Sequence, residues 1–238
     1  MNAKYIALGG WIACVLAYNT LADSATPSEL WHASQANLAA PYSTASGNGL
    51  YVRVGGFSSD ILLSPDGTRW ACHNSGIQNS LYSVAFGRGR FVAVGNEGAL
   101  ISSTDGRNWK SLKSHTDDRL RSITFAKGLF VAVGYNGTVI TSDDGLVWNK
   151  RNSRTDDRLH SVTFGNDRFL AMSKNGNVVS STDGKRWKMT AQLNGIFANV
   201  AYENGSFTSL SASGATFVSA DGETWVSATS NTELVSVK

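Results

Sequence analysis

The stretch Leu81–Trp109, LYSVAFGRGRFVAVGNEGALISSTDGRNW, decides the fold. It holds three short runs that alternate at period two, Leu81 to Phe86, Phe91 to Val94 and Ala99 to Ser103, and a fourth begins at Trp109 and ends at Leu112. Between the runs stand Gly-Arg-Gly, Asn-Glu-Gly and Asp-Gly, which accept the backbone of tight hairpins. The pattern predicts four strands, A to D, and leaves no room for a helix. The closing motif STDGRNW recurs along the chain as SPDGTRW, SDDGLVW, STDGKRW and SADGETW, with its aspartates at Asp66, Asp105, Asp144, Asp183 and Asp221. Its tryptophans, Trp70, Trp109, Trp148, Trp187 and Trp225, recur at a nearly constant step of about 39 residues, and Trp31 stands one more such step before Trp70. A fixed period of this length with four strand-like runs per unit predicts an all-β propeller of four-stranded antiparallel blades.

These motifs resemble the Asp-box (BNR) repeat propellers, a family that includes sialidases and photosystem II assembly-factor-like proteins. The family motif is written Ser-x-Asp-x-Gly-x-x-Trp, and every copy here is one residue shorter, Ser-x-Asp-Gly-x-x-Trp. The resemblance covers residues 31–225. It implies that each box is the hairpin between the two outer strands, its Asp and Ser tying the turn and its Trp packing between blades. The residues argue the same way, since Asp before Gly stabilises a tight turn and a large aromatic at constant register suits a buried interface. One motif repeated five times reads as scaffold rather than as five active sites.

Blade counting gives five, with six as the alternative. Trp31 opens a D-like segment and the tail from Leu234 resembles the start of an A strand. A and D are not neighbours within a blade, so the two leftovers are expected to pack at the closure rather than form a sixth.

At the N-terminus, Lys4 precedes an apolar stretch that runs to Leu21, and small Thr20 and Ala22 stand where a cleavage site would need them. Residues 1–22 therefore read as a signal peptide and 23–238 as a single propeller domain, secreted or periplasmic. The membrane enters only if the segment stays uncleaved. With 42% hydrophobic and 16% charged residues the chain describes a packed globule. Losing Lys4 takes the net charge from +3 to +2, too small a bias for nucleic acid. Cys72 is then left alone in strand D and reads as a small apolar filler.

Most turns are minimal, so the search for a ligand face falls on the longer D–A connections. Two are nearly identical, Ser114 to Leu120 and Ser153 to Leu159, each carrying Thr-Asp-Asp-Arg. The candidate ligand residues are Arg119, Arg158, Asp117, Asp118, Asp156, Asp157, His73, His115, Tyr135 and Lys174, with Phe57, Asp60 and Glu97 on neighbouring B–C turns. A bland account competes: each Arg bridges to a nearby Asp and only braces its loop. Catalysis finds little support. A glycosidase needs one protonated carboxyl opposite an ionised one, and an adjacent Arg keeps both ionised. Tyr42, Tyr82 and Tyr202 lie on A strands and read as core. His32, His73, His115 and His160 occupy different repeat positions, and neither a metal nor a cofactor is expected. The sequence thus reads as a binding or assembly module for a glycan or an envelope or extracellular protein, the ligand meeting the D–A loop face. A glycoside hydrolase of the sialidase-like superfamily is the alternative.

Overall fold

The computed structural model describes residues 43–55, 58–228 and 234–237, the last four and Ala228 by backbone alone. The leader expected at 1–22, Trp31, His32, Tyr42 and Phe57 lie outside the described residues. Five antiparallel sheets follow one another along the chain. Blade 1 is β1 (Ser43–Gly47), β2 (Leu50–Val54), β3 (Ile61–Ser64) and β4 (Ala71–His73); blade 2 is β5 (Leu81–Gly87), β6 (Arg90–Gly95), β7 (Leu100–Ser103) and β8 (Lys110–Ser111). Blade 3 is β9 (Leu120–Ala126), β10 (Leu129–Gly134), β11 (Val139–Ser142) and β12 (Asn149–Arg151); blade 4 is β13 (Leu159–Gly165), β14 (Arg168–Ser173), β15 (Asn177–Ser181) and β16 (Lys188–Gln192). Blade 5 is β17 (Ala201–Glu203), β18 (Ser206–Leu210), β19 (Thr216–Ser219) and β20 (Trp225–Ala228). The fold is a β-propeller of five blades.

Two details differ from the sequence reading. The tail does not start an A strand: β21 (Leu234–Val237) pairs antiparallel with β20, Trp225 opposite Val237 and Ala228 opposite Leu234. An outer D strand offers unpaired N–H and C=O groups, and a short alternating segment satisfies them. Cys72, half-buried on β4, is disulfide-bonded rather than alone. A single 3-10 turn, Asn96–Gly98, stands among the described strands.

The first hairpin of every blade turns on two residues of positive φ, as in Asn48 (50°) with Gly49 (72°) and Lys127 (51°) with Gly128 (76°). That is the twist a two-residue hairpin requires. Beyond the turn a Phe on strand B meets an aromatic on strand A. The ring centroids are 4.7 Å apart for Phe86–Phe91, 4.5 Å for Phe125–Phe130, 4.9 Å for Phe164–Phe169 and 4.8 Å for Tyr202–Phe207. Such cross-strand pairs fix register and add to simple burial.

The closing turns are built alike. In each, the Ser hydroxyl donates to the Asp Oδ1, at 2.9–3.0 Å. The same oxygen accepts two backbone N–H groups further on, for example Leu146 and Val147 on Asp144 at 2.8 and 2.9 Å. The donors hold the Asp66, Asp105, Asp144, Asp183 and Asp221 carboxyls below the ordinary range. The following Gly takes a positive φ, and in blades 2 to 5 it lies against the preceding blade: a Cβ at Gly145 would meet Arg90 Cδ at 2.6 Å, and Phe130 of its own blade at 3.0 Å. The Trp then drops into the core between its own blade and the one before. Trp148 lies with Val92 and Phe130, Trp187 with Val131 and Phe169, and Trp225 with Leu170 and Phe207.

Among the described residues four apolar cores join the five blades in series, and none joins blade 5 to blade 1. The two end faces are more polar. Val52 and Val54 point to blade 2, so alternation turns Tyr51 and Arg53 away from it, the Arg53 guanidinium lying 3.9 Å from the Trp70 ring centroid. Phe207 and Phe217 point to blade 4, which leaves Thr208, Leu210, Thr216 and Val218 on the far face of blade 5.

Candidate functional site

The D–A connections and the B–C turns share one end of the blades, and backbone hydrogen bonds tie them together. The Tyr135 N–H donates to Arg119 O at 2.9 Å and the Lys174 N–H to Arg158 O at 3.0 Å. Two B–C turns are also pinned to the next connection: Gly98 N–H donates to Asp118 O at 3.0 Å and Gly137 N–H to Asp157 O at 2.7 Å. The glycines are required there, since a Cβ at Gly98 or Gly137 would collide with the carbonyl of Thr116 or Thr155. The connections are therefore held, not free.

Their Asp and Arg side chains point to different places. Asp118 turns outward, accepting from Thr116 Oγ1 at 2.9 Å, Thr138 Oγ1 at 2.7 Å and Asn136 Nδ2 at 2.6 Å. Those donors, Thr138 first, hold its carboxyl below the usual range. Asp157 accepts from Ser173, Asn175 and Asn177 at 3.1, 3.1 and 2.7 Å. Asp117 and Asp118 line an open groove of about 720 Å³ with His115 and Lys150, and Asp156 lines a similar one of about 350 Å³ on the next blade. His73 stays on β4, half-buried, its imidazole kept neutral by burial and then by Arg107. None of these joins the arginines. Asp60 accepts from Ser58 at 2.7 Å and Glu97 from Asn79 at 3.0 Å.

Arg119 and Arg158 turn the other way: Arg119 meets Tyr82, which the sequence reads as core, and both arginines meet Tyr135. Leu81, Leu120 and Leu159 open the A strands of blades 2, 3 and 4, and in each strand the ladder shifts register across the next residue. These β-bulges re-aim Tyr82, Arg121 and His160, which occupy the same position in three successive repeats. The result is a stack of cations and rings. The Arg121 guanidinium carbon lies 4.7 Å from the Tyr82 centroid, that of Arg119 5.6 Å from Tyr82 and 5.2 Å from Tyr135, and that of Arg158 5.0 Å from Tyr135. His160 stacks on Tyr135 at 5.9 Å and 11° between planes. Arg119 Nε donates to Asn96 Oδ1 at 2.9 Å.

The cluster gathers positive charge with no carboxylate paired to it among the described residues. Among the described residues none of Arg119, Arg121 and Arg158 forms an ion pair, which corrects the account in which each Arg braces a loop Asp. Arg121 Nε and His160 Nε2 are buried without a hydrogen-bond partner. Burial, and then Arg121, Lys174, Arg158 and Arg119, push the imidazole of His160 down to about 4. Guanidiniums held near aromatic rings without a paired carboxylate keep N–H groups available for an anion. No group of three or more metal-ligating side chains gathers among the described residues.

A family model described as "DUF6242 beta propeller domain" matches residues 93–194. No curated protein matches in sequence. Among solved structures, "YCF48 bound to D1 peptide" is 22% identical with a TM-score of 0.58, over 78% of this chain and 66% of that one. YCF48 from Cyanidioschyzon merolae is 14% identical with a TM-score of 0.60, over 83% and 72%. The computationally designed Ika8 protein is 15% identical with a TM-score of 0.60, over 79% and 67%. At these identities the likeness is one of fold, and the present chain spans about two thirds of each of these propellers.

Proposed function

We propose that the protein is an exported, non-catalytic binding module whose arginine–tyrosine stack takes an acidic segment of a protein partner, as an assembly factor would. One observation carries the reading: three guanidiniums are ordered on two tyrosine rings with no carboxylate among the described residues paired to them. Ordering these cations side by side costs energy that a bound anion would offset. The solved propeller with a bound peptide supports the class of ligand, a polypeptide. A neutral glycan fits less well, because sugars pack on bare aromatic faces and guanidiniums lie over both Tyr82 and Tyr135. Glycoside hydrolysis fits less well again. Asp118 accepts three hydrogen bonds that favour its ionised form, so it is unsuited to donating a proton.

The test is binding of a hexaglutamate peptide, with hexaglutamine as control, to the intact protein and to the double variant Arg119→Ala/Arg158→Ala. The expected result is binding of the acidic peptide alone, and at least a tenfold loss, about 1.4 kcal/mol or more, in the variant. A variant that binds normally but melts several degrees lower would return these arginines to a bracing role. Binding of hexaglutamine as tightly as hexaglutamate would remove the anion from the reading.

A further inference from the structure

His160 differs from its neighbours in the stack. Arginine and lysine keep their charge throughout the physiological range, whereas an imidazole gains or loses its proton within it. Its Nε2 is buried and unpartnered, and one face of its ring is covered by Tyr135. The charged groups that act on it are Arg121 and Arg119 from blade 3 and Arg158 and Lys174 from blade 4, all cations. On its other flank blade 5 approaches through Val200, whose carbonyl accepts from the Ser161 hydroxyl at 3.3 Å, and residues 197–202 bring no charged side chain. Asp157, three residues before His160, is turned onto Ser173, Asn175 and Asn177. Among the described residues the Nε2 of an imidazolium thus has no acceptor, and four positive neighbours repel the charge.

We propose that anion binding in this stack is coupled to protonation of His160, the bound anion accepting a hydrogen bond from the imidazolium Nε2–H. The inference rests on the reading of the stack as an anion site. The proton comes from solvent and stays on His160 while the anion is bound. An anion supplies the missing acceptor and screens the four cations, and both effects favour the charged ring. Linkage then fixes the direction. Burial and the arginines hold the imidazole near 4 when the site is empty, and a bound anion raises that value, so affinity rises as pH falls through the bound value and levels off below 4. An interaction strong enough to restore about 6, near the ordinary histidine value, makes binding about tenfold tighter at pH 5 than at pH 8.

Inorganic sulfate is the probe, because it keeps its charge over this range while a carboxylate peptide does not. The imidazole proton signals of His160 are followed by NMR from pH 4 to pH 8 with and without sulfate, and sulfate affinity is measured at pH 5 and pH 8. The expected result is a titration midpoint raised by a unit or more, about tenfold tighter binding at pH 5, and a His160→Gln variant whose affinity is the same at both pH values. Sulfate binding of equal strength at both pH values with an unmoved His160 would overturn the coupling and leave the anion site standing. No sulfate binding at either pH would overturn both.

Discussion

Replacing Asp144 with alanine removes the acceptor at the centre of the blade 3 closing turn. Three groups lose their partner: the Ser142 hydroxyl at 3.0 Å and the N–H groups of Leu146 at 2.8 Å and Val147 at 2.9 Å. Leu146 and Val147 are exposed, so water takes over part of what is lost, and each backbone bond is discounted to about 1 kcal/mol. The sum is about 2 kcal/mol, or a melting temperature lower by about 4–8 °C for a chain of this size. Asp144→Asn keeps a neutral oxygen in place and should lose about half as much. The effect should also depend on pH in a definite direction. The Val147 and Leu146 N–H groups hold the folded carboxyl below its ordinary value, so its contribution is complete above the unfolded value of about 3.9 and disappears as pH falls through the folded one. Scanning calorimetry of wild type and Asp144→Ala at pH 7 and pH 3 should therefore show a full gap at neutrality and a narrower one in acid. A variant that melts like wild type at pH 7 yet loses hexaglutamate binding would refute the reasoning, because the turn would then serve the ligand and not the scaffold.

Gly137→Ala should cost about 1–3 kcal/mol, since Gly137 has a φ of 63° and its Cβ would press on the Thr155 carbonyl, which heat denaturation would register as a clear fall in melting temperature. It should also weaken acidic-peptide binding, because the displaced connection carries Arg158. The export proposal predicts an extracytoplasmic protein that begins at or near Asp23, and intact mass spectrometry of a soluble pool that found Met1 retained would reject it.

The blades were legible in the sequence because their determinants are local. An Asp-Gly or Asn-Gly pair dictates its own turn, and a Trp at the same place in every repeat marks the interface whatever the surroundings. The candidate site was half legible. Arg119, Arg158, Tyr135 and Lys174 could be placed at one end of the blades from loop length alone. Neighbours in sequence, however, suggested the wrong partnership: Asp118 and Arg119 are adjacent, and a chain entering a strand sends adjacent side chains to opposite sides. Tyr82, Arg121 and His160 were missed for a related reason. On an ideal alternating strand Tyr82 reads as core, and the bulge, which alternation does not reveal, re-aims it together with Arg121 and His160. Their signal was the register: each stands between a Leu and a Ser, one full repeat from the next.

Four cores in series make this propeller behave energetically like a stacked array, in which each blade is stabilised only by its neighbours. Blades 1 and 5 each have one such neighbour among the described residues, and blade 3 has two. Amide protons of β9 and β10 should therefore exchange most slowly, with exchange quickening toward both ends of the row. Tyr82, Arg121 and His160 come from three consecutive blades around that protected middle. A ligand gripping all three would act as a staple across two of the four joints, and would slow the opening of strands it never touches.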